Sequence, residues 1–276
     1  MLGSLLKRLL VAGSALAALV VGYGWLVESK RLVVERVTMP IDGLPPHLDG
    51  FTLVQLTDFH PGSSHASVIS KAVDITNHLK PDLVVLTGDF IDRHGSEVFE
   101  LLEPFGRLSA PYGVYASLGN HDIWQLLPLR KQIVTYGLTY VGIPILNNEY
   151  VRLENGIVLA GICDTPIAMA DLPAALKGVS SDDTVITLVH RPDYADAFAR
   201  DGRVDLQLSG HTHGGQMVVP GIKPLYLPHY GKKYVSGRHR IGNMWLYVSR
   251  GVGTARIPVR LNCPPEITHI TLRRAA

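Results

Sequence analysis

Short apolar runs recur along the chain, and each ends abruptly in residues rich in Asp, His, Asn and Gly. Five of these runs are FTLVQLTDFH, DLVVLTGDF, GVYASLGNHD, TVITLVH and VDLQLSGHTH. Continuous apolar runs of this length are typical of strands that are covered on both faces of a sheet. Ligand sites in open α/β sheets form at the carboxyl ends of strands. The five polar endings are therefore expected to meet at one place.

Segments with helical spacing of apolar residues separate these runs. HASVISKAVDITNHLK lies between the first two runs and SEVFELLEPFGRL between the second and third, which predicts the order strand, helix, strand, helix, strand. LPAALKGV and RPDYADAFARDG predict two further helices. Residues 33–39, NMWLYVSRG and EITHITLRR predict additional strands, whereas residues 214–242 predict a long loop that can include a hairpin. The pattern as a whole indicates an α/β fold.

The amino-terminal segment has a different character. Residues 9–27 contain no charged residue, and as a helix this stretch is about as long as the hydrocarbon core of a bilayer is thick. Tyr23 and Trp25 lie near its end, where interfacial aromatic residues are common. A cleaved signal peptide is the alternative interpretation. It would need a small-x-small cleavage site after the apolar run, but Ala15-Leu16-Ala17 lies inside that run.

An uncleaved membrane anchor is therefore favoured. We expect residues 1–31 to form this anchor with its short flanks, and residues 32–276 to form one large domain. The orientation stays open, because the positive-inside rule finds nearly equal basic charge on the two sides of the apolar run. The basic residues compared are Lys7 and Arg8 on one side and Lys30, Arg31 and Arg36 on the other.

Composition excludes several classes of protein. The formal net charge is only +2 and no dense basic stretch occurs, so nucleic acid is not an expected partner. Cys163 and Cys263 lie far apart and form no CxxC pattern, which argues against a disulfide framework and against a cysteine-rich zinc site. Histidine is the unusual component, because several of the twelve histidines stand in the polar endings of the apolar runs.

The polar endings contain residues that bind metal ions. Asp58 and His60 are two positions apart, so on an extended backbone their side chains point the same way. Asp89 follows Gly88, and its two carboxylate oxygens can bridge two cations. Asn120 offers an amide oxygen. Oxygen and imidazole donors without a thiolate favour Mn²⁺, Fe or Zn²⁺. The candidate metal ligands are Asp58, His60, Asp89, Asn120, His190, His211 and His213.

Two cations held about 3.5–4 Å apart make a hydrolytic centre of a known kind. They lower the pKa of a shared water, so that hydroxide can attack, and they neutralise charge on a phosphoryl group. His121 and Asp122 directly follow Asn120. We expect His121 to protonate the leaving oxygen or to stabilise the phosphoryl group. We expect Asp122 to fix the tautomer of this histidine and to raise its basicity.

Taken in order, these motifs resemble the calcineurin-like metallophosphoesterases. The matching elements are Asp58-x-His60, Gly88-Asp89, Gly119-Asn120-His121-Asp122, His190 and Gly210-His211-Thr212-His213. The resemblance covers residues 50–276. It implies an α/β fold, a four-layer αββα sandwich of two mixed sheets with a dinuclear metal site at strand carboxyl termini, here preceded by the transmembrane helix. It also implies that Asp58, His60, Asp89 and His213 hold one ion, and that Asp89, Asn120, His190 and His211 hold the other.

Three features narrow the resemblance to one branch of the family. They are the anchor, the opening LTDFHPG and the tail YVSRGVGTARIPVRLNCPPEI. They are similar to the membrane-associated bacterial branch of this family, whose members are described as phosphodiesterases. This similarity implies a single-pass protein of the bacterial inner (cytoplasmic) membrane, with the side of the catalytic domain left open. Some relatives of the branch hydrolyse UDP-2,3-diacylglucosamine, a precursor of lipid A.

We therefore expect a dinuclear-metal phosphohydrolase that cleaves a phosphodiester or pyrophosphate bond of a membrane-associated substrate. Arg93, Arg191 and Arg250, together with Arg256, are candidates for holding the phosphate, because a guanidinium binds phosphate through two parallel hydrogen bonds. A UDP-2,3-diacylglucosamine pyrophosphatase of lipid A synthesis is one alternative. A metal-binding scaffold without catalysis is a second, although a scaffold has no use for an acid at His121.

Overall fold

The computed structural model describes residues 2–123, 128–163, 170–224 and 226–275. Its helices are α1 (Leu2–Leu26), α2 (Ala66–Leu79), α3 (Phe99–Phe105), α4 (Pro128–Tyr140), α5 (Leu172–Ala175) and α6 (Ala195–Asp201). Its strands are β1 (Val33–Ile41), β2 (Thr52–Leu56), β3 (Leu83–Thr87), β4 (Val114–Ser117), β5 (Glu149–Arg152), β6 (Val158–Gly161), β7 (Val185–Leu188), β8 (Leu206–Ser209), β9 (Gly237–Ile241), β10 (Met244–Val248) and β11 (Glu266–Arg274).

Within these ranges the strands form two mixed sheets. The first has five strands in the order β1-β11-β2-β3-β4, and the second has six in the order β5-β6-β7-β8-β10-β9. In the first sheet β2, β3 and β4 are parallel, and in the second β6, β7, β8 and β10 are parallel. The carboxyl ends of these parallel strands therefore lie at one end of each sheet, where the loops that follow them can meet.

Apolar clusters between the elements produce the four layers. Along β3, Leu83 and Val85 face the cluster between the two sheets, whereas Val84 and Leu86 face the cluster covered by α2, α3 and α4. This alternation follows from the two-residue period of a strand. Leu159 of β6 also faces the other sheet, and the opposite face of the second sheet packs against α5 and α6. The predicted αββα sandwich is confirmed.

Most predicted elements are present, and two regions were missed. The segment HASVISKAVDITNHLK forms α2, and NMWLYVSRG and EITHITLRR form β10 and β11. Neither α4 nor the antiparallel pair of β5 and β6 was predicted from the sequence. The helix α4 contains several β-branched residues and Gly137, which have low helix propensity. Val134 and Leu138 of α4 are buried against the first sheet layer, so tertiary packing rather than helix propensity holds this helix.

The amino-terminal helix contacts the domain near its carboxyl end. α1 is long and apolar enough to cross a membrane, and its side chains are mostly exposed. Near its last turn the backbone N–H of Arg260 donates to the carbonyl of Gly24 at 3.2 Å, and a Cβ atom at position 24 would lie 2.7 Å from Val259. The buried carboxylate of Glu28 accepts from the backbone N–H of Cys263 at 2.9 Å. The helix thus ends on the loop that leads into β11.

Candidate functional site

The predicted ligands all lie just beyond the carboxyl ends of parallel strands. Asp58 and His60 follow β2, Asp89 follows β3, Asn120 follows β4, His190 follows β7, and His211 and His213 follow β8. Residues from both sheets therefore converge on one centre, as the polar endings predicted. The sheets pack face to face, so loops that are far apart in sequence become neighbours at this end.

One group of donors is formed by Asp58, His60 and His213, whose ligand atoms all lie within 4.8 Å of one another. The Nε2 atom of His213 is 3.2 Å from Oδ1 of Asp58 and 3.2 Å from Nε2 of His60. All three residues are buried. A carboxylate oxygen and two imidazole nitrogens at these distances can coordinate one cation.

A second group is formed by Asp89, His190 and His211, again within 4.8 Å. The Oδ2 atom of Asp89 lies 3.0 Å from Nε2 of His190 and 3.3 Å from Nε2 of His60. Asp89 therefore stands between the two groups, as a ligand that bridges two cations must. The buried amide oxygen of Asn120 has no hydrogen-bond partner among the described residues, which fits a fourth donor for the second cation.

Hydrogen bonds behind the ligands select the ring nitrogens that face the centre. Nδ1 of His190 donates to the carbonyl of Thr87 at 2.7 Å, which directs Nε2 toward Asp89. Nε2 of His211 donates to the carbonyl of His229 at 2.8 Å, which leaves Nδ1 for the centre. Outer hydrogen bonds of this kind orient a metal-binding imidazole and fix its tautomer.

The backbone at the site is held in an unusual conformation. Five of the candidate ligands have positive φ angles, which non-glycine residues rarely adopt. The values are 55° for Asp58, 41° for His60, 57° for Asp89, 72° for His211 and 50° for His213. Left-handed residues clustered in this way are a signature of functional sites, because the surrounding structure must offset their conformational cost.

Two glycines are required by close approach to the ligands. A Cβ atom on Gly210 would lie 2.2 Å from Oδ2 of Asp58, and one on Gly119 would lie 2.3 Å from Oδ1 of Asp89. Any side chain at these positions would occupy the space of a carboxylate oxygen. The glycines that precede the His and Asn motifs are therefore a steric requirement of the site.

At the centre, the positive charges of buried imidazoles and the negative charges of buried carboxylates balance one another. Burial alone would lower the pKa of His190, but the carboxylates of Asp89 and Asp58 outweigh it and raise this pKa to about 10. Burial would raise the pKa of Asp89, but the charges of His190 and His121 outweigh it and hold this pKa well below its usual range. Two acceptors 3.0 Å apart repel each other unless a proton or a cation lies between them. The donor set therefore fits divalent cations that replace such protons.

This balance predicts a pH dependence for protein stripped of cations with a chelator. The pKa of His190 is about 10 in the folded chain and near 6.5 when unfolded, so the folded state binds the extra proton between these values. The stabilisation is complete below pH 6.5 and is lost as the pH rises toward 10. We expect the urea midpoint of EDTA-treated protein to fall between about pH 7 and pH 9. His190→Gln should make this slope smaller without abolishing it, because burial would lower the pKa of His60 too, but Asp89 and Asp58 outweigh it and raise this pKa. Equal slopes in both proteins would refute the assignment.

The role predicted for Asp122 requires a correction. Its carboxylate accepts hydrogen bonds from the backbone N–H groups of Asp89, Phe90 and Gly119 at 2.8–2.9 Å, and it is buried. It therefore ties the loop after β3 to the loop after β4. Nδ1 of His121 instead donates to the backbone carbonyl of Asp92 at 2.7 Å. Burial and the charge of Asp89 raise the pKa of Asp122 to about 7.

Asp92 is a residue of the site that was not predicted from the sequence. Its Oδ1 atom lies 3.8 Å from Nδ1 of His121 and 3.7 Å from Nδ1 of His60, so one buried carboxylate places negative charge beside two histidines of the site. The backbone N–H of Asp92 is capped by the carboxylate of Glu97. Asp92 lies three residues after the ligand Asp89, and this short separation is the signal that could have identified Asp92 as part of the site.

The three predicted substrate arginines lie in three different environments. Arg191 is largely buried, lies 5.4 Å from the centre of the Tyr230 ring and lines the cavity above the ligands. Arg93 is mostly exposed, contacts Asp92 at 3.4 Å and does not line this cavity. The prediction for Arg250 is corrected, because its guanidinium pairs with Glu35 at 2.5 Å and Glu266 at 2.8 Å and joins β1 to β11.

The cavity over the ligands has a volume of about 540 Å³. Its floor is formed by ligands of both groups together with His121. Arg191 and Arg256 line its wall, and the guanidinium of Arg256 lies 4.8 Å from the centre of the Tyr226 ring. The remaining wall includes Met217, Pro228 and Ile257. Cationic and apolar surfaces thus flank one cluster of metal-binding residues.

Comparison with known proteins is consistent with this geometry. Residues 51–215 match the sequence profile of the family described as calcineurin-like phosphoesterase. The chain is 36% identical over 275 residues to the uncharacterized metallophosphoesterase YkuE of Bacillus subtilis, covering 96% of this chain and 93% of that protein. It is 30% identical over 289 residues to the phosphodiesterase YaeI of Escherichia coli, covering 96% and 98%.

A longer relative and a solved structure extend the comparison. A Danio rerio transmembrane protein with a metallophosphoesterase domain is 31% identical over 284 residues, which cover 97% of this chain and 63% of that protein. The crystal structure of TT1561 of Thermus thermophilus aligns with a TM-score of 0.50 and 13% identity, covering 74% of this chain and 90% of that one. At this identity the alignment supports the fold alone.

Proposed function

The chain belongs to the calcineurin-like phosphoesterase family of metal-dependent enzymes, and from this premise we propose that it hydrolyses a phosphodiester or pyrophosphate bond of a membrane-associated substrate. Members of this family use two divalent cations. The observation that carries the proposal is the position of Asp89 between two groups of buried donors, 3.0 Å from His190 and 3.3 Å from His60. We assign Asp58, His60, Asp89 and His213 to one cation and Asp89, Asn120, His190 and His211 to the other.

When bound, the two cations supply positive charge that lowers the pKa of a water molecule and offsets the charge of the phosphoryl oxygens. The side chains of the chain perform the remaining tasks. Arg191 and Arg256 line the cavity and can hold the phosphate oxygens that face away from the ligands. Because Nδ1 of His121 donates to Asp92, a proton that the ring gives to a leaving oxygen departs from Nε2. Asp122 holds the loop after β3 against the loop after β4 and thus acts as a positioning residue.

Membrane association rests on the amino-terminal segment. One helix of the described chain is long and apolar enough to span a bilayer, and the similar Danio rerio protein is named a transmembrane protein. We propose that residues 1–31 form a single-pass anchor of a bacterial inner membrane and that residues 32–276 form the catalytic domain. The substrate would then be a phosphoester at or near the bilayer. UDP-2,3-diacylglucosamine is one candidate of this chemistry.

The proposal predicts that full-length protein in detergent, loaded with Mn²⁺, hydrolyses bis-p-nitrophenyl phosphate. His121→Gln should lower kcat by about 10²–10⁴-fold, because a general acid contributes that much, while the bound metal stays unchanged. His239→Gln serves as the matched control, since this histidine lies on β9 outside the cavity.

Release of UMP from UDP-2,3-diacylglucosamine is measured in the same preparation. Release would identify a lipid A pathway pyrophosphatase, and cleavage of the diester alone would remove this substrate. Inactivity on both compounds with metal bound would refute the proposed hydrolysis and favour a metal-binding scaffold.

A further inference from the structure

Four large apolar side chains are exposed on the two loops that contribute to the wall of the metal cavity. Val219 and Ile222 lie after the ligand His213, and their side chains are 41% and 57% exposed. Tyr226 and Ile257 line the cavity and are 57% and 45% exposed. We call these four residues the rim patch. Large apolar side chains grouped on a surface mark a site of interaction, whereas isolated ones need no explanation.

Hydrogen bonds join the two loops into one surface. The side-chain amide of Gln216 donates to the carbonyls of Ala255 and Ile257 at 3.2 and 3.0 Å. The backbone N–H of Leu261 donates to the carbonyl of Gln216 at 2.9 Å, and that of Val218 donates back to Leu261 at 2.8 Å. The rim patch is therefore held in place by the same framework as the cavity wall.

The rim patch lies beside the end of the apolar helix α1. Val259 is in contact with Gly24, which stands between the exposed aromatic residues Tyr23 and Trp25. Ile257 is only two residues from Val259, so their Cα atoms are separated by at most about 7 Å. The mouth of the cavity is thus near the point at which a membrane-spanning α1 would leave the bilayer.

The charge of the two loops suits the same environment. Residues 214–230 and 253–263 contain no Asp or Glu, whereas Lys223 and Arg256 are exposed. Aromatic and basic residues around apolar side chains are typical of surfaces that lie in the headgroup region of a membrane. A protein partner would be expected to bury a larger continuous apolar area than four side chains offer.

We propose that the rim patch inserts into the surface of the membrane that α1 spans, so that the cavity opens at the level of the lipid headgroups. The proposal rests on the proposed function for its assumption that α1 is a membrane anchor. It adds that the substrate enters from the bilayer surface, with its phosphate reaching the ligands past Tyr226 and Ile257 and its apolar part remaining among the lipids.

The first test measures depth and is independent of activity. The native cysteines are buried, so a nitroxide can be attached to Ile222→Cys in full-length protein reconstituted into vesicles of zwitterionic and anionic phospholipids. Tyr140→Cys on α4 is the matched control, because Tyr140 is an exposed aromatic residue outside the rim patch. Accessibility to oxygen and to a water-soluble nickel chelate then places each label relative to the bilayer.

We expect the label at position 222 to be accessible to oxygen and protected from nickel, and the label at position 140 to show the reverse. Nickel accessibility at both positions would overturn the proposal. Protection at both positions would also overturn it, because the domain would then not be oriented by the rim patch. Immobilisation at position 222 that increases with protein density, without oxygen accessibility, would overturn it as well and assign the surface to a second copy of the chain.

The second test uses two diesters with the same leaving group, in the same vesicles. One is water-soluble bis-p-nitrophenyl phosphate, and the other is hexadecyl p-nitrophenyl phosphate dissolved in the bilayer. Ile222→Asp should lower turnover of the lipid diester by about tenfold, since it places a charge where apolar contact is needed, and leave the soluble diester unchanged. Tyr140→Asp should change neither.

An equal effect of Ile222→Asp on both diesters, or no effect on either, would overturn membrane entry. Inactivity of the unsubstituted protein on both diesters would refute the proposed function instead, and the depth measurement would still decide where the rim patch lies.

Discussion

Asp89→Asn is expected to lower turnover of bis-p-nitrophenyl phosphate by about a thousandfold. Asp89 stands between the two donor groups, and asparagine keeps one oxygen but loses the charge and the second coordinating oxygen. Cations supply several kcal/mol of charge stabilisation in the transition state of phosphoryl transfer. A loss of about 4 kcal/mol corresponds to about three orders of magnitude in rate. Metal analysis should show fewer cations per chain than in the unsubstituted protein.

Asp205→Asn is the matched control for this substitution. Asp205 is also a largely buried aspartate and accepts from the backbone N–H of Val185 at 2.8 Å, but it lies at the amino end of β8, away from the site. Asparagine can still accept this hydrogen bond, so metal content and turnover should stay near those of the unsubstituted protein. Full activity and full metal content in Asp89→Asn would contradict the assignment of Asp89 as the bridging ligand.

Arg260→Met is expected to reduce the stability of the folded chain by about 3–5 kcal/mol. Arg260 is completely buried, and its guanidinium donates to four backbone carbonyls, those of Arg250, Gly251, Gly253 and Cys263. Methionine fills much of the volume but donates no hydrogen bond. Each buried acceptor left without a donor costs about 1–3 kcal/mol, and partial relaxation keeps the sum below the simple total. The loss is a large fraction of the free energy of unfolding of a typical domain.

The effect should extend to the metal site. The loop that Arg260 organises holds the first ligand, because the backbone N–H of Gly253 donates to the carbonyl of Asp58 at 2.8 Å. We therefore expect Arg260→Met to lower both the urea midpoint and the amount of bound metal. Arg273→Met is the control, since Arg273 is about half exposed and pairs with Asp49 at 3.4 Å, an interaction worth at most about 1 kcal/mol. Equal midpoints for the two variants would refute the role of Arg260.

The arginines of this chain have roles that are difficult to predict from sequence alone. A guanidinium after a strand end can hold a substrate phosphate, an internal carboxylate or backbone carbonyls with equal chemical suitability. Arg191 faces the cavity, Arg250 pairs with Glu35 and Glu266, and Arg260 is enclosed by its own loop. Glu35, which pairs with Arg250, comes from a distant part of the chain. The carbonyls around Arg260 reach this arginine only because the loop folds back on itself. The local sequence therefore contains no sign of either arrangement.

Asp122 illustrates the same limit at shorter range. Its neighbour in sequence is His121, yet its carboxylate points away to the backbone of Asp89 and Phe90, and Asp92 supports the histidine instead. The backbone groups that Asp122 contacts belong partly to the loop after β3, and a one-dimensional motif does not record that proximity. Adjacency along the chain is therefore a weak guide to contact in a loop.

Local patterns in the chain were enough to predict the α/β fold class and the donors that meet at the centre. Apolar runs that end in Asp, Asn and His predicted parallel strands and convergent loops, because the two-residue period of a strand and the polarity of a sheet are local consequences of the backbone. Three features could be read only from the folded chain: which ring nitrogen faces the centre, which arginine lines the cavity, and the presence of exposed apolar side chains beside it. These features depend on contacts between the two sheets and their loops, where burial and hydrogen bonding to distant residues outweigh local preference.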